Sequence, residues 1–242
     1  MIGIGAIGSF LAKNLGKELI WIYDADKKHA QQKVKELKLK CEVVDEPRTD
    51  VDLVVEAASQ SAVPSLVKIL EKTSIMIMSV GALGDDALLE RLMSTAKKHG
   101  TKIYIPSGAI GGLDAIKSVR DHLDDITLET IKNPSSLGRT DTKRTIIFEG
   151  SARKAVEVFP QNVNVAMTLS LCGLGPDKTR VVIISDPSVH RNRHIIKARG
   201  DMGEFEFTVK NVPSPDNPKT SALAALSALR VIKERDAVLR IG

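Results

Sequence analysis

Gly3-Ile4-Gly5-Ala6-Ile7-Gly8, preceded only by Met1 and Ile2, has the G-x-G-x-x-G spacing of a dinucleotide-binding turn. Each glycine answers a different requirement. Gly3 permits the tight turn out of a strand, Gly5 lets the backbone approach a pyrophosphate, and Gly8 lets the next helix pack close to the sheet. Free amides at that helix start, including those of Ala6 and Ile7, would face the phosphates with the helix dipole assisting. The spacing alone is a weak signal, because glycine also serves ordinary turns. Its surroundings strengthen it. Ala6 to Leu15 reads as a helix with Ile7, Phe10, Leu11 and Leu15 on one face. Leu19-Ile20-Trp21-Ile22-Tyr23 reads as a buried strand and ends at Asp24, 16 residues after Gly8. A carboxylate there is placed to bind an adenosine ribose; the alternative is a loop carboxylate that caps the next helix. Asp24 would favour NAD over NADP by repelling a 2′-phosphate. Lys27 and Lys28 soften that preference, so NADP stays open. A buried strand usually needs about five residues. The first strand is therefore either unusually short or begins upstream.

The same alternation continues. Strands are expected at 52–56, 75–79 and 102–106, with helices near 61–72 and 86–99 between them. Strand–helix alternation implies right-handed crossovers and a parallel sheet, with ligands at the strands' carboxyl ends, near Gly5, Ser59 and Gly81. Ala58 and Ser59 are small enough to leave room for a nicotinamide ribose, although Ser59 also suits a plain N-cap. Met76 and Met78 read as core filler.

The bulk properties narrow the class. The chain has 242 residues, 43% of them apolar and 27% charged, which suits one large or two modest globular domains. The only cysteines, Cys41 and Cys172, are far apart, which argues for a reducing compartment and against a disulfide framework or a zinc site. No apolar run reaches about 18 residues and no secretory signal opens the chain, so a cytoplasmic protein without a membrane span is expected. The net charge of +5 suits anionic ligands. Basic residues are dispersed and aromatics are only 3%, which argues against nucleic acid.

The second half reads as α+β with an open mixed sheet. Ser107-Gly108-Ala109-Ile110-Gly111-Gly112 lies between a strand and a helix near 113–123, and its glycines suit either close backbone approach to a ligand or a hinge. Strands are expected at 126–132, 145–149 and 180–185. Phe205, Phe207 and Val209 alternate with polar residues as in a half-exposed strand. Asn164 lies in a helix opening at 162–166, where asparagine can cap or can hold a ribose or carboxamide. Asn217-Pro218-Lys219-Thr220-Ser221 reads as the cap of a last helix over 222–234, which packs back on the first domain. A lysine at a helix start opposes the dipole, so a bound carboxylate would explain Lys219; a solvent-facing lysine is the alternative.

The order of these motifs resembles the short L-aspartate dehydrogenases. The matching stretches are Gly3 to Gly8, Val55-Glu56-Ala57-Ala58-Ser59-Gln60, Ser107 to Ala115, Ile147 to Ala152, Phe159-Pro160-x-Asn162-x-Asn164-Val165-Ala166, Asn192-x-His194 and Asn217 to Ser221. The stretches 107–114 and 217–221 are the most specific. The resemblance implies an α/β fold. A Rossmann-like domain, 1–106 together with 213–242, is completed by the C-terminal helix, and a smaller α+β domain, 107–212, binds substrate and dimerises. It implies that His194 is the catalytic histidine and that Ala109 and Asn164 contact NAD; from the residues themselves, Asn192 could orient His194 or bind substrate, and Lys219 and Thr220 could hold a substrate carboxylate. The implied reaction converts L-aspartate to iminoaspartate, then oxaloacetate and ammonia, in de novo NAD synthesis, with functional coupling to quinolinate synthase. A histidine base titrating near neutrality fits that chemistry. Rival readings are a related dehydrogenase of a homoserine-like or semialdehyde substrate, and a non-catalytic NAD sensor.

Overall fold

A computed structural model describes residues 1–159, 163–214 and 217–239. Contacts divide the chain into two compact units, Met1–Pro106 with Ser227–Ala237, and Ser107–Leu226. The return crossing thus falls within the last helix, beyond the 212/213 boundary read from sequence.

The first unit contains α1 (Ala6–Leu15), β1 (Trp21–Ile22), α2 (Lys27–Glu36), β2 (Glu42–Val43), β3 (Leu53–Glu56), α3 (Leu66–Leu70), β4 (Ser74–Ile77), α4 (Asp86–His99) and β5 (Ile103–Tyr104). The short opening segment is paired on both sides. Ile2 bridges in parallel to Tyr23 and to Glu56. Its amide donates to the Val55 carbonyl and its carbonyl accepts from Ala57, both at 2.8 Å, while Tyr23 and Gly3 close the bonds on the other side. The spatial order is therefore β2-β1-Ile2-β3-β4-β5, parallel at every pairing. This is the strand order that places a switch point beside the glycine turn. The core joins Ile4, Leu11, Ile22, Val55, Met76 and Met78 to Ala228 and Leu229 of the last helix. The helix expected over 61–72 is broken. A 3-10 turn, Gln60–Ser65, contains Pro64, which has no N–H for an α-helical ladder, and α3 begins only afterwards.

A cavity of about 930 Å³ in this unit is lined by Leu19, Trp21, Asp50 and Leu53 among others. These residues lie at the amino ends of β1 and β3, whereas parallel sheets bind ligands at the carboxyl ends. It is not the nucleotide site.

The second unit contains α5 (Leu113–Ser118), β6 (Leu123–Lys132), β7 (Thr145–Ser151), α6 (Ala152–Val158), α7 (Asn164–Cys172), β8 (Thr179–Ser185), β9 (Arg193–Gly200), β10 (Gly203–Lys210), β11 (Pro213–Ser214), β12 (Asn217–Ser221) and the start of α8 (Ala222–Glu234). Five strands form a mixed sheet in the order β10-β9-β6-β8-β7, with β6 and β8 parallel and every other pair antiparallel. One face carries Ile126 and Leu128, Val181 and Ile183, and Ile196 and Ala198, packed against Ile116, Ala155 and Leu169 of the helices. The other carries Ile131, Val182, Ile184 and Val189, then a ladder of Lys197–Glu129 and Arg199–Asp125 ion pairs. Two expectations are corrected. The helix over 113–123 stops at Ser118 and passes through a 3-10 turn, because β6 already begins at Leu123. Asn217–Ser221 is a strand paired to β11, so Lys219 lies in β12 and not at the start of α8.

Candidate active site

The glycine turn has the geometry its spacing demands. Gly3 sits at φ +88°, and a Cβ there would lie 2.7 Å from the Ala57 carbonyl oxygen. Gly8 abuts the turn from the helix side: its Cβ would lie 2.3 Å from the Gly3 oxygen. At Gly5, the N-cap of α1, a Cβ would meet nothing within 4 Å. Space is thus held open at a helix start where Ala6 and Ile7 form the first turn, with no side-chain cap and no acidic residue. An anion fits there. Asp24 accepts from the amides of Ile4 and Asp26, each at 3.0 Å, and so ties the end of β1 to the turn. The cap of α2 is Asp26, which accepts from His29. Asp24 is therefore not that helix's cap, and its half-buried carboxylate stands beside the turn, as a ribose-binding acid requires. These residues fit a dinucleotide.

Beyond β3, Ala58 and Ser59 are exposed, and the Ser59 hydroxyl lies 2.9 Å from that of Ser61 without capping the 3-10 turn. Gly81 is buried in the turn that follows β4. Both segments converge on a residue that sequence reasoning placed only in a motif. Glu56, fully buried, accepts from the Ala58 amide at 2.8 Å, the Ser79 amide at 3.0 Å and the Ser79 hydroxyl at 2.8 Å. Burial pushes its pKa up, against the pull of these donors. One carboxylate thereby fixes the two loops flanking the expected nicotinamide site. Glutamine would turn an NH₂ group toward donors and leave at least one unsatisfied, a cost of about 1–3 kcal/mol. Glu56→Gln should therefore weaken NAD⁺ binding by about tenfold in a fluorescence titration; unchanged affinity would show that the loops hold themselves.

In the second unit, His194 lies opposite Thr130 in the β6–β9 register, and Thr130 Oγ1 is 3.0 Å from His194 Nδ1. His194 is 5% exposed. Burial, then the charge of Lys132, lowers its pKa to about 3. The imidazole is thus held neutral and does not titrate near neutrality, contrary to the sequence expectation. Lys132, two residues beyond Thr130 on the same face, is itself buried, which lowers its pKa to about 8.

A second network gathers the remaining residues of this unit. Asn211 is buried and donates from Nδ2 to the Ala109 carbonyl at 2.9 Å, donates from its amide to the Asn192 carbonyl at 2.8 Å, and accepts from the Ser221 hydroxyl at 2.7 Å. One side chain and its backbone thereby join the 107–112 loop, the segment before His194 and the end of β12, where Thr220 precedes Ser221. Asn164 opens α7, and its carbonyl accepts from Thr168. The Lys219 side chain and Asn162 lie outside what the structure describes. Among the described residues, no group of three or more His, Cys, Asp or Glu is arranged for a metal. No described helix is long and apolar enough to cross a membrane.

Comparison with known proteins agrees with both halves. Residues 3–106 match the family model "Homoserine dehydrogenase, NAD binding domain", and residues 114–235 match "Aspartate dehydrogenase, C-terminal". The chain is 40% identical to the L-aspartate dehydrogenase of Nitrosopumilus maritimus, over 97% of this chain and 94% of that protein. It is 37% identical to that of Thermotoga maritima, over 100% of this chain and 98% of the other. The crystal structure of aspartate dehydrogenase from Thermotoga maritima superimposes with a TM-score of 0.85 at 34% identity, covering 100% of this chain and 97% of that one. A buried histidine on a mixed sheet, a glycine turn open at its centre and relatives matched over nearly their whole length agree on one assignment: the chain belongs to the L-aspartate dehydrogenase family.

Proposed function

We propose that this chain oxidises L-aspartate to iminoaspartate, which hydrolyses to oxaloacetate and ammonia. The observation that carries this is the buried Thr130–His194 pair, in the unit that matches the aspartate dehydrogenase model. The first unit holds the nucleotide through Gly3, Gly5, Ala6, Ile7, Gly8 and Asp24, with Ala58, Ser59 and Gly81 at the nicotinamide end. Ala109 and Asn164 supply further cofactor contacts from the second unit. NAD⁺ held by these residues would supply the acceptor for the hydride of the substrate Cα. Before that step the substrate amine must be neutral, and afterwards water must be deprotonated to attack the imine carbon. His194 Nε2 takes the amine proton and releases it to water, then takes the proton of the attacking water and returns it to the departing ammonia, while Thr130 holds Nδ1 and so fixes the ring. A carboxylate arriving beside His194 raises its affinity for a proton, so the base strengthens when substrate binds. Asn192, Lys219 and Thr220 are assigned to the substrate.

The homoserine dehydrogenase match covers only the cofactor unit, and the substrate follows the other one. The test is NADH or NADPH formation by absorbance with L-aspartate, D-aspartate, L-malate and L-homoserine, each against both cofactors. L-aspartate with NAD⁺ should be the best pair. Faster turnover of L-homoserine would overturn the assignment, and NAD⁺ binding without any turnover would make the protein a sensor. The proposed setting is the cytoplasmic de novo synthesis of NAD, where quinolinate synthase takes up the iminoaspartate that leaves the enzyme unhydrolysed. A homodimer formed through the second unit completes the reading, and light scattering in solution tests it.

A further inference from the structure

We infer that Lys132 is the cation that receives one carboxylate of the dicarboxylate substrate beside His194. The inference rests on the aspartate reading above and assigns a residue to its substrate site.

The sheet places the two residues together. His194 is paired with Thr130 in register, and Lys132 follows Thr130 by two residues on the same strand. Alternation along β6 therefore puts Lys132, Thr130 and His194 on one face. The same parity holds Ile126 and Leu128, which pack into the helix-covered core. The inward face of β6 thus runs Ile126, Leu128, Thr130, Lys132, apolar for its first half and polar at its carboxyl end. The neighbouring strand matches this change: Val181 and Ile183 give way to Ser185, which lies beside Lys132 in register. Thr130, Lys132, Ser185 and His194 are all buried. A lysine seldom occupies such a place, because desolvating an ammonium is costly.

Two features fit a carboxylate arriving there. Burial draws the Lys132 proton affinity down, and the Lys132 charge in turn disfavours protonation of His194. The pair therefore rests as one ammonium and one neutral imidazole. A carboxylate brought to the ammonium gains a charge-assisted bond in a low-dielectric site. It also offsets the field that suppresses His194, so binding and activation of the base become one event. An amino acid with one carboxylate would bring no second anion to Lys132. Selection for a dicarboxylate follows.

The test compares full-length wild type with Lys132→Met and Lys132→Arg. The readouts are kcat and KM for L-aspartate, inhibition by succinate and by butyrate, NADH binding by fluorescence, and thermal midpoint. Lys132→Met should raise KM for L-aspartate and Ki for succinate by about thirtyfold or more, leave weak butyrate inhibition unchanged, and keep NADH affinity. Lys132→Arg should recover part of the succinate affinity. Unaltered KM and Ki in Lys132→Met would overturn the inference, as would a lowered midpoint with a parallel loss of NADH affinity. A wild-type enzyme that neither oxidises L-aspartate nor is inhibited by succinate would instead overturn the function proposed above.

Discussion

Replacing His194 by alanine should lower kcat with L-aspartate by about 10²-fold or more while leaving NAD⁺ affinity unchanged, because the nucleotide contacts proposed for the first unit do not include the imidazole. A variant that turned over normally would remove His194 from the role of base. The pH behaviour sharpens the test. kcat/KM reports groups of the free enzyme, where His194 has a pKa of about 3. No limb near pH 6.5 should therefore appear in kcat/KM from this residue, although kcat, which reports the complex, can show one. The same shift has a consequence for stability. The unfolded chain protonates His194 near pH 6.5, whereas the folded chain resists until about 3. Acid therefore favours unfolding through this residue, by about 1.4 kcal/mol per pH unit below roughly 6.5. Denaturant melts at pH 7 and pH 5 should show His194→Ala losing about 2 kcal/mol less than the wild type over that interval. An equal loss in both proteins would place the histidine in a wetter setting than the one described.

What the sequence disclosed and what it hid divide along physical lines. Gly3 to Gly8 was legible because each glycine answers a backbone constraint, and backbone constraints leave few residue choices. The alternation of strands and helices led to the parallel sheet for the same reason. His194 was reached through the resemblance carried by Asn192-x-His194, not through periodicity. Lys132 was overlooked, although parity in 126–132 contains the signal: four inward positions in a row, Ile126, Leu128, Thr130 and Lys132, end on a charge. Glu56 lay inside a quoted motif, yet its role depends on Ser79, 23 residues later, and no local pattern links the two. Asn211 had no signal at all, since its partners Ala109, Asn192 and Ser221 meet only in three dimensions. Pairing also overrode local preference at 217–221, where a segment rich in cap residues became a strand against β11.

The glycine turn offers the second large effect, and two of its glycines should lose NAD⁺ binding for different reasons, one with stability and one without. Alanine at Gly8 would press its methyl against the Gly3 carbonyl at 2.3 Å, backbone against backbone, with no flexible side chain to yield. Helix α1 would have to lift from the sheet, a cost of roughly 3 kcal/mol for overpacking. The thermal midpoint of Gly8→Ala should fall by several degrees, and NAD⁺ binding should be lost with it. Alanine at Gly5 meets nothing in the protein, and its φ of −65° suits any residue. Gly5→Ala should therefore melt like the wild type. Yet the new methyl would occupy the space where a pyrophosphate approaches the first amides of α1. Its NAD⁺ dissociation constant should rise about tenfold or more, equivalent to at least about 1.4 kcal/mol, with His194 and the substrate unit untouched. Normal melting with normal NAD⁺ binding in Gly5→Ala would mean that the nucleotide does not cross this turn, and Gly8→Ala could not then be read as anything but a packing defect.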